Sequence, residues 1–573
     1  MAAAGDPEPI EPLHLGKLLL DRRQLLRGLG LGGAALAVPG LLAACGSSGG
    51  SGGSSSSPGG STSSAPGNTS DADIPSLTWA LNTSTIVGLD IATAFEANSQ
   101  CVAVCGMEGL LGVSDQLTLV PLLATSWKYD RPNLKYVFQV RQGVKFWDGT
   151  PMTMDDVVYS LTRHIDPKVS SQIAGYFANV ASFKQTGANE VTAKLKHPDP
   201  TVANSLVFAP IMSKAFAEKI GKALGSPGSG LRIMGTGPYK ISSYPSSTAA
   251  TVERFDGYWG TKPKVQSCTF SCIADTQTLQ LAIQSGQADG TLTVPVQDAA
   301  NYQKISTVQT YSASGMGMCA LTFDVSTPPY DDIHVRKAIA YACDRQGYVR
   351  AFLDGNGTPA TCMVPPEQWG SVLPQSQVAS EYAKLPSYPF SIENAKKELA
   401  QSAHPNGFTT NKILVPSSQP AVLKALESLS TTVKQLGITM PISQVPSNDW
   451  LANIYAHKDL GIVCLLFLPD YADPADYMNL VYPSANAVKN NFNLANYKNP
   501  KVDKLIQDAN SASSNDERAK DLMEVLTISN QDLPYYTLYW QNDVMAIQNK
   551  YVYKGFTGLF FNQNWLSRIY TAS

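Results

Sequence analysis

Charge, histidine and long apolar runs are all scarce in this chain. Charged residues make up 16% of 573, below the roughly 25% of an ordinary globular protein. Lys+Arg 43 against Asp+Glu 46 leave a net charge of −3. With no clustered excess of Lys and Arg there is no basic face for nucleic acid. The histidines (His14, His164, His197, His334, His404 and His457) stand singly, and no two share ligand spacing on a helix. A preformed transition-metal site therefore has no support. H-E-x-x-H does not occur. Outside the N-terminal region the longest compact apolar run is Ile462 to Leu468 (IVCLLFL). It falls far short of the ~20 residues that cross a membrane and reads as a buried strand.

What is present begins with an address. A polar start leads to Arg22-Arg23-Gln24-Leu25-Leu26, then to the uncharged stretch Gly28 to Ala44 and to Cys45. That stretch carries five glycines and Pro39, too weakly apolar for a spanning helix and in the order of an export signal. Arg22 and Arg23 before two leucines resemble a twin-arginine signal; a general secretory signal also begins with positive charge, so both routes stay open. Leu42-Ala43-Ala44-Cys45 resembles a bacterial lipobox, which makes Cys45 the lipidated mature N-terminus.

Gly46 to Ser70 follows with 11 Ser and 8 Gly and no charge. Such a composition buries no apolar surface and reads as a flexible leash with a reach of roughly 25–30 Å. Two motif matches in this region, Gly28 to Gly33 for G-x-G-x-x-G and Gly46 to Gly50 for G-x-S-x-G, lack the strand–turn–helix context their chemistry needs.

The chain from Asp71 reads as globular, with length for about three to four domain-sized units including the leader. Asn133 to Phe146 alternates like a half-buried strand pair bent at Gln142-Gly143. Thr153 with Asp156 marks a helix start, and Val157, Val158 and Leu161 share a face. Val335, Ala338, Ile339 and Ala342 recur at helical spacing, and a second helix runs from near Asp344 to Gly355. Lys412 to Val415 reads as a strand, Gln419 to Leu436 as a helix stopped by Gly437, and Ile438 to Val445 as a strand. Strands alternating with helices of this length predict an α/β protein with parallel pairs.

Once Cys45 carries lipid, eight cysteines remain: Cys101, Cys105, Cys268, Cys272, Cys319, Cys343, Cys362 and Cys464. Cys101/Cys105 and Cys268/Cys272 are not spaced as zinc ligands and have no nearby His. A structural role or buried free thiols is expected, and sequence cannot choose a disulfide pairing.

Five blocks in order resemble the family 5 solute-binding proteins of ABC importers, the dipeptide-, oligopeptide- and nickel-binding class. They are Glu108 to Leu111 with Leu123 to Trp127; Tyr136 to Arg163 (YVFQVRQGVKFWDGTPMTMDDVVYSLTR); Gly235 to Tyr239 with Arg254 to Trp259; Asp332 to Arg345; and Asp470 to Pro474 with Tyr497 to Pro500 and Asp503. The resemblance implies a type II periplasmic-binding fold of two lobes with a hinge, an extra inserted domain, and no catalysis or cofactor. It divides the chain into a signal at 1–45, a linker at 46–72, a first lobe at 73–112, 235–318 and 543–573, the insertion at 113–234, and a second lobe at 319–542.

The same resemblance implies an extended peptide-like solute clamped between exposed strand edges, main-chain bonds supplying affinity and side-chain pockets supplying selectivity. By motif, Asp470 falls at the acid that meets the ligand ammonium. Leu466 and Leu468 fall where backbone bonds the peptide, Phe467 at an aromatic position, and Trp450 at a pocket tryptophan. Phe95 to Ala97 correspond to a strand-edge contact on the other lobe. Two departures stand out: Ile91 replaces the usual proline after Asp90, and Cys464 stands where some relatives carry a basic residue. Trp147 is expected to pack.

The implied partners are the membrane subunits of an ABC permease and the membrane itself through lipid, with the protein a monomer in the periplasmic space or on the outer side of the plasma membrane. Other cargoes of the fold, a metal chelate, haem or an oligosaccharide, remain alternatives, with a secreted lipid-anchored hydrolase more remote. Cys45→Ser is expected to abolish fatty-acid labelling and move the exported protein from the membrane to the soluble fraction. Persistent labelling of that variant would refute Cys45 as the anchor.

Overall fold

The computed structural model describes residues 68–573. Arg22, Arg23, Cys45 and the leash through residue 67 lie outside the described residues. The expected linker of 46–72 ends sooner than its composition suggests. Thr69 and Ser70 pair antiparallel with Ala572 and Thr571, and Ser573 donates its backbone N–H to Asn68 O at 3.0 Å. Backbone pairing needs no apolar side chain, so serine and threonine serve as well as valine here.

Two long strands organise the rest. Val308–Phe323 and Tyr535–Gln548 pair antiparallel through the middle of a nine-stranded sheet. On one side the sheet continues through Gly290–Thr291, Leu77–Leu81, Ser267–Cys272, Ala249–Arg254 and Tyr239–Ser246; on the other it ends with Ile462–Phe467. Gly357–Pro359 joins Tyr535–Gln548 separately. Parallel pairing occurs where Leu77–Leu81 meets Ser267–Cys272 and Gly290–Thr291, and where Ile413–Pro416 meets Ile442–Val445. The other strand pairs are antiparallel, so parallel pairing is a smaller part of the sheet than helix–strand alternation suggested.

Near the sheet's outer end both faces are covered, which explains why Ile462–Phe467 is apolar throughout rather than alternating. Cys319, Leu321 and Phe323 face one helical layer that includes Ile333–Tyr341 and Pro420–Val433. Met318 and Ala320 face another that includes Ala475–Val481 and Asn515–Asp532. A separate core gathers the N-terminal half with the C-terminal return: Trp565 packs tilted against Trp79, ring centroids 4.7 Å apart, and donates its indole N–H to Cys101 O at 2.7 Å.

The register of the two long strands shifts between Ala313 and Gly317. A Cβ on Gly315 would lie 1.6 Å from Gln541 O, so only glycine lets the backbones approach there.

A four-stranded antiparallel sheet stands apart, ordered Ala124–Asp130, Lys135–Val140, Glu190–Leu195, Val180–Gly187. The hairpin expected over Asn133 to Phe146 is not formed. Lys135–Val140 pairs with its other two neighbours, while Gly143 (φ 75°) turns the chain into a tight loop in which Phe146 N–H bonds Thr150 O. The strand instead makes its hairpin with the preceding one, Asp130 opposite Lys135, and with Glu190–Leu195 on its other side Tyr136, Phe138 and Val140 are buried. The helix starts predicted from side chains do form. Thr153 and Asp156 make a reciprocal capping box on Met154–Thr162, and Gly437 ends the Pro420 helix at φ 74°.

The sequence blocks meet through buried polar contacts. Glu108 accepts from Thr236, Tyr258 and Trp259 at 2.8, 2.7 and 3.1 Å. Trp147 packs, donating its indole N–H to Gly237 O at 3.1 Å. Arg163 forms a bidentate pair with Asp90 at 3.0 and 2.6 Å, both side chains nearly inaccessible. All eight described cysteines are free thiols, seven of them buried.

Removing one partner of a buried pair leaves the other charge stranded. Arg163→Met is therefore expected to cost about 3–5 kcal/mol in denaturant unfolding. A loss below ~1 kcal/mol would mean that Asp90 is solvated or protonated.

Candidate functional site

Ile462–Phe467 is the last strand of its sheet: Val308–Phe323 lies on one side and, among the described residues, no strand pairs with its other edge. Leu466 and Phe467 emerge half-buried at its end, and Leu468 is 52% exposed. Asn411 occupies the edge at Ile462, accepting its N–H at 3.0 Å; beyond it, an exposed leucine beside an unpaired strand end is the combination that strand addition uses. Phe467 stands edge-on to Tyr477 and Phe492 at 5.8 and 5.5 Å.

The loop after this strand is fixed by its own carboxylates. Asp473 accepts two bonds from Arg518 at 2.7 and 2.6 Å and one from Ala475 N–H at 2.9 Å, starting the next helix. Asp476, in that helix's first turn, accepts the Asp470 N–H at 2.8 Å. On its far side Asn562, from the C-terminal return, donates its Nδ2–H to Asp470 O at 2.7 Å. The backbone of Asp470 is thus held from two directions, which presets where its side chain can go.

That side chain meets no cation. The Tyr176 hydroxyl donates to Asp470 Oδ2, and among the described residues no ion pair reaches Asp470. Burial pushes the Asp470 carboxyl up to about 6, opposed by the Tyr176 bond. Asp476 is also raised, by burial first and then by the charge of Asp470. Tyr176 comes from the short helix Ala174–Phe177 and sits in an aromatic group with Phe208 at 5.2 Å, Phe95 at 6.2 Å and Tyr471 at 6.2 Å. The site therefore joins a carboxylate short of positive charge to an apolar aromatic wall.

The remaining expected positions fall less uniformly. Phe95 belongs to the aromatic wall, but the Phe95–Ala97 segment is not a strand edge. Glu96 caps a helix that begins at Ala97, accepting from Asn98 and Ser99 N–H, and Phe95 N–H is already bonded to Gln172 Oε1 at 2.7 Å. A carboxylate satisfying the first free N–H groups of a helix stabilises that start, and this local gain excludes an extended edge at Ala97. Trp450 is 7% exposed and packs with Ile454, Leu460, Val463, Leu465 and Leu494 in a small core of its own. Its indole Nε1 is buried without a hydrogen-bond partner.

Tyr176, Asn562 and Asp476 were not singled out from sequence. Tyr176 is 294 positions from Asp470 and Asn562 is 92 away, and neither lies in a recognised block. Asp476 sits just beyond the Asp470 to Pro474 motif, so its spacing was a readable signal.

Residues 118–489 match the sequence profile described as "Bacterial extracellular solute-binding proteins, family 5 Middle". The glutathione-binding protein GsiB of Escherichia coli strain K12 is 26% identical over 472 residues, 81% of this chain and 88% of that protein. Heme-binding protein A of Haemophilus influenzae is 28% identical over 469 residues, 77% of this chain and 82% of its own length. Among solved structures, the periplasmic binding protein DppA from Helicobacter pylori in complex with peptide STSA superposes with a TM-score of 0.72 at 20% identity, covering 87% of this chain and 98% of that one. The shared fold is the type II periplasmic-binding fold.

The raised Asp470 gives a pH prediction. Its folded pKa of about 6 exceeds the ~3.9 of an unfolded aspartate, so the folded state keeps the proton to higher pH. The associated stability is present below pH ~4 and is lost as pH rises through about 6. Asp470→Asn removes that loss. The variant without ligand is expected to match wild type near pH 4 and to exceed it by about 1–3 kcal/mol at pH 8. His164, buried neutral with its pKa pushed down to about 3, acts equally in both proteins and cancels. Equal stability of the two at pH 8 would contradict the buried, unpaired state of Asp470.

Proposed function

Because the chain belongs to the family 5 bacterial extracellular solute-binding proteins, a family that serves ABC permeases outside the cytoplasm, we propose that it is a lipid-anchored receptor for peptides bearing a free terminal ammonium. The observation that carries this reading is Asp470: a carboxylate fixed beyond an open sheet edge, half-buried, and answered only by a tyrosine hydroxyl. An ammonium group supplies both the charge and the extra donors that Tyr176 cannot.

A peptide docks by extending the sheet at the end of Ile462–Phe467, with Leu466 and Leu468 presenting the backbone row, Phe467 an aromatic side chain, and the terminal ammonium reaching Asp470. Main-chain pairing makes affinity largely independent of ligand sequence. Phe95, Phe208 and Tyr176 wall the position of the first side chain. Because Tyr176, Asp470 and Asn562 come from far-separated stretches of the chain, a bound ammonium at Asp470 couples the lobes, and closure favoured by ligand is the form offered to the permease. No bond in the solute is made or broken. Lipid on Cys45 keeps the receptor near the permease and raises its effective concentration there.

Support from relatives is of the same kind: one similar structure was solved with a tetrapeptide and another, the oligopeptide-binding protein AppA from Bacillus subtilis, with a nonapeptide. The experiment is a thermal-shift screen of the exported chain against a mixed peptide library. Ligand that binds only the native state raises Tm by mass action. At least one peptide class is expected to raise it, with Asp470→Ala lowering affinity 30-fold or more, equivalent to about 2 kcal/mol or more. An unmoved transition across the library would refute peptide capture.

A further inference from the structure

Resting on that reading, we infer that the cleft contains a second cation-seeking position at Asp543, so that the preferred guest is a basic peptide carrying a lysine-like side chain as well as its terminal ammonium. Asp543 lies on the long strand Tyr535–Gln548, opposite Ala313 where the register shifts. It is half-buried. Among the described residues no hydrogen bond or ion pair to its side chain is found. Its Oδ2 lies 3.2 Å from where a Cβ on Gly558 would stand, beside Met316. Burial alone accounts for the rise of its pKa to about 7.

Asp543 and Asp470 are linked through Tyr477 and through the segment from Gly558 to Asn562. Tyr477 donates its hydroxyl to Met316 O at 2.7 Å and Phe467 O at 3.1 Å, joining the register shift to the end of the open strand. The phenol of Tyr477 is raised by burial and then by the charges of Asp476, Asp470 and Asp543 together. The short segment from Gly558 to Asn562 begins against Asp543 and ends on Asp470. Four residue steps span at most about 14 Å, the length of a few residues of extended peptide.

The second, independent sign of a missing donor is Asn562. This side chain is 8% exposed, its Nδ2 bonds Asp470 O, and its Oδ1 is buried with no partner. An unsatisfied buried acceptor costs about 1–3 kcal/mol, and an N–H from the guest at this point removes that cost. Unlike Asp473 with Arg518 and Asp90 with Arg163, Asp470 and Asp543 have no resident cation. Glu108 and Asp476 also lack a cation but are held by neutral donors; Asp543 has, among the described residues, no partner of either kind.

Titration calorimetry at pH 7.5 tests this with peptides containing one lysine at the second, third or fourth position, against counterparts with norleucine, which keeps the aliphatic stem and lacks the ammonium. Wild type is expected to bind lysine at one position at least ten-fold tighter than norleucine. In Asp543→Asn that preference should vanish while norleucine peptides bind as before. Equal affinity for lysine and norleucine at every position overturns the inference while leaving peptide capture standing. A preference that survives Asp543→Asn overturns the assignment to that residue. Binding of neither set refutes both readings. The wild-type comparison needs no variant, so misfolding of Asp543→Asn would not rescue the claim.

Discussion

A carboxylate taken out of water must find positive charge, surrender its own, or weaken the fold. Asp470 is in that position, and the surrounding structure is arranged to hold it there. Asp473 spends its charge on Arg518, anchoring the loop; Asp476 takes the Asp470 N–H; Asn562 takes its carbonyl. These bonds freeze the backbone and leave the side chain with one neutral donor, Tyr176. A group kept in an unfavourable state by well-satisfied neighbours is a reservoir of binding energy for a cation. Stability is given up locally so that affinity can be gained on contact.

The rest of the architecture serves this point. Covering both faces of the sheet makes Ile462–Phe467 rigid and apolar, yet leaves its outer edge unpaired by any described strand. The two long strands contribute side chains to three of the cores, and the close approach at Gly315 concentrates irregularity where Asp543, Met316 and Tyr477 gather. Burial strengthens every charge interaction in such a place, which is why acids without cations matter more there than on the surface.

Much of this was legible in the amino-acid order, because much of it is local. The capping box at Thr153 and Asp156, the helix from Pro420 stopped by Gly437, and the buried strand at Ile462 follow from patterns a few residues long. The blocks that suggested the family are largely scaffold: Thr236 and Trp259 both donate to Glu108, and Arg163 holds Asp90. What could not be read depends on distant meetings. The pairing of Lys135–Val140 with Glu190–Leu195, the hydroxyl of Tyr176 over Asp470, and the amide of Asn562 have no local signature. At Ala97 a local rule overrode the expected strand edge, since Glu96 caps a helix there, and at Trp450 apolar packing took a side chain expected in a pocket.

Whether Asp470 receives an ammonium decides how this protein holds its guest. Calorimetric titration of one peptide that binds, compared with the same peptide acetylated at its N-terminus, removes the charge at that contact, and Asp470→Asn controls for the added acetyl group. Loss of the charge is predicted to weaken binding by at least 30-fold, about 2 kcal/mol, in wild type, and far less in Asp470→Asn. Equal affinity of the free and acetylated peptides for the wild-type protein would contradict it.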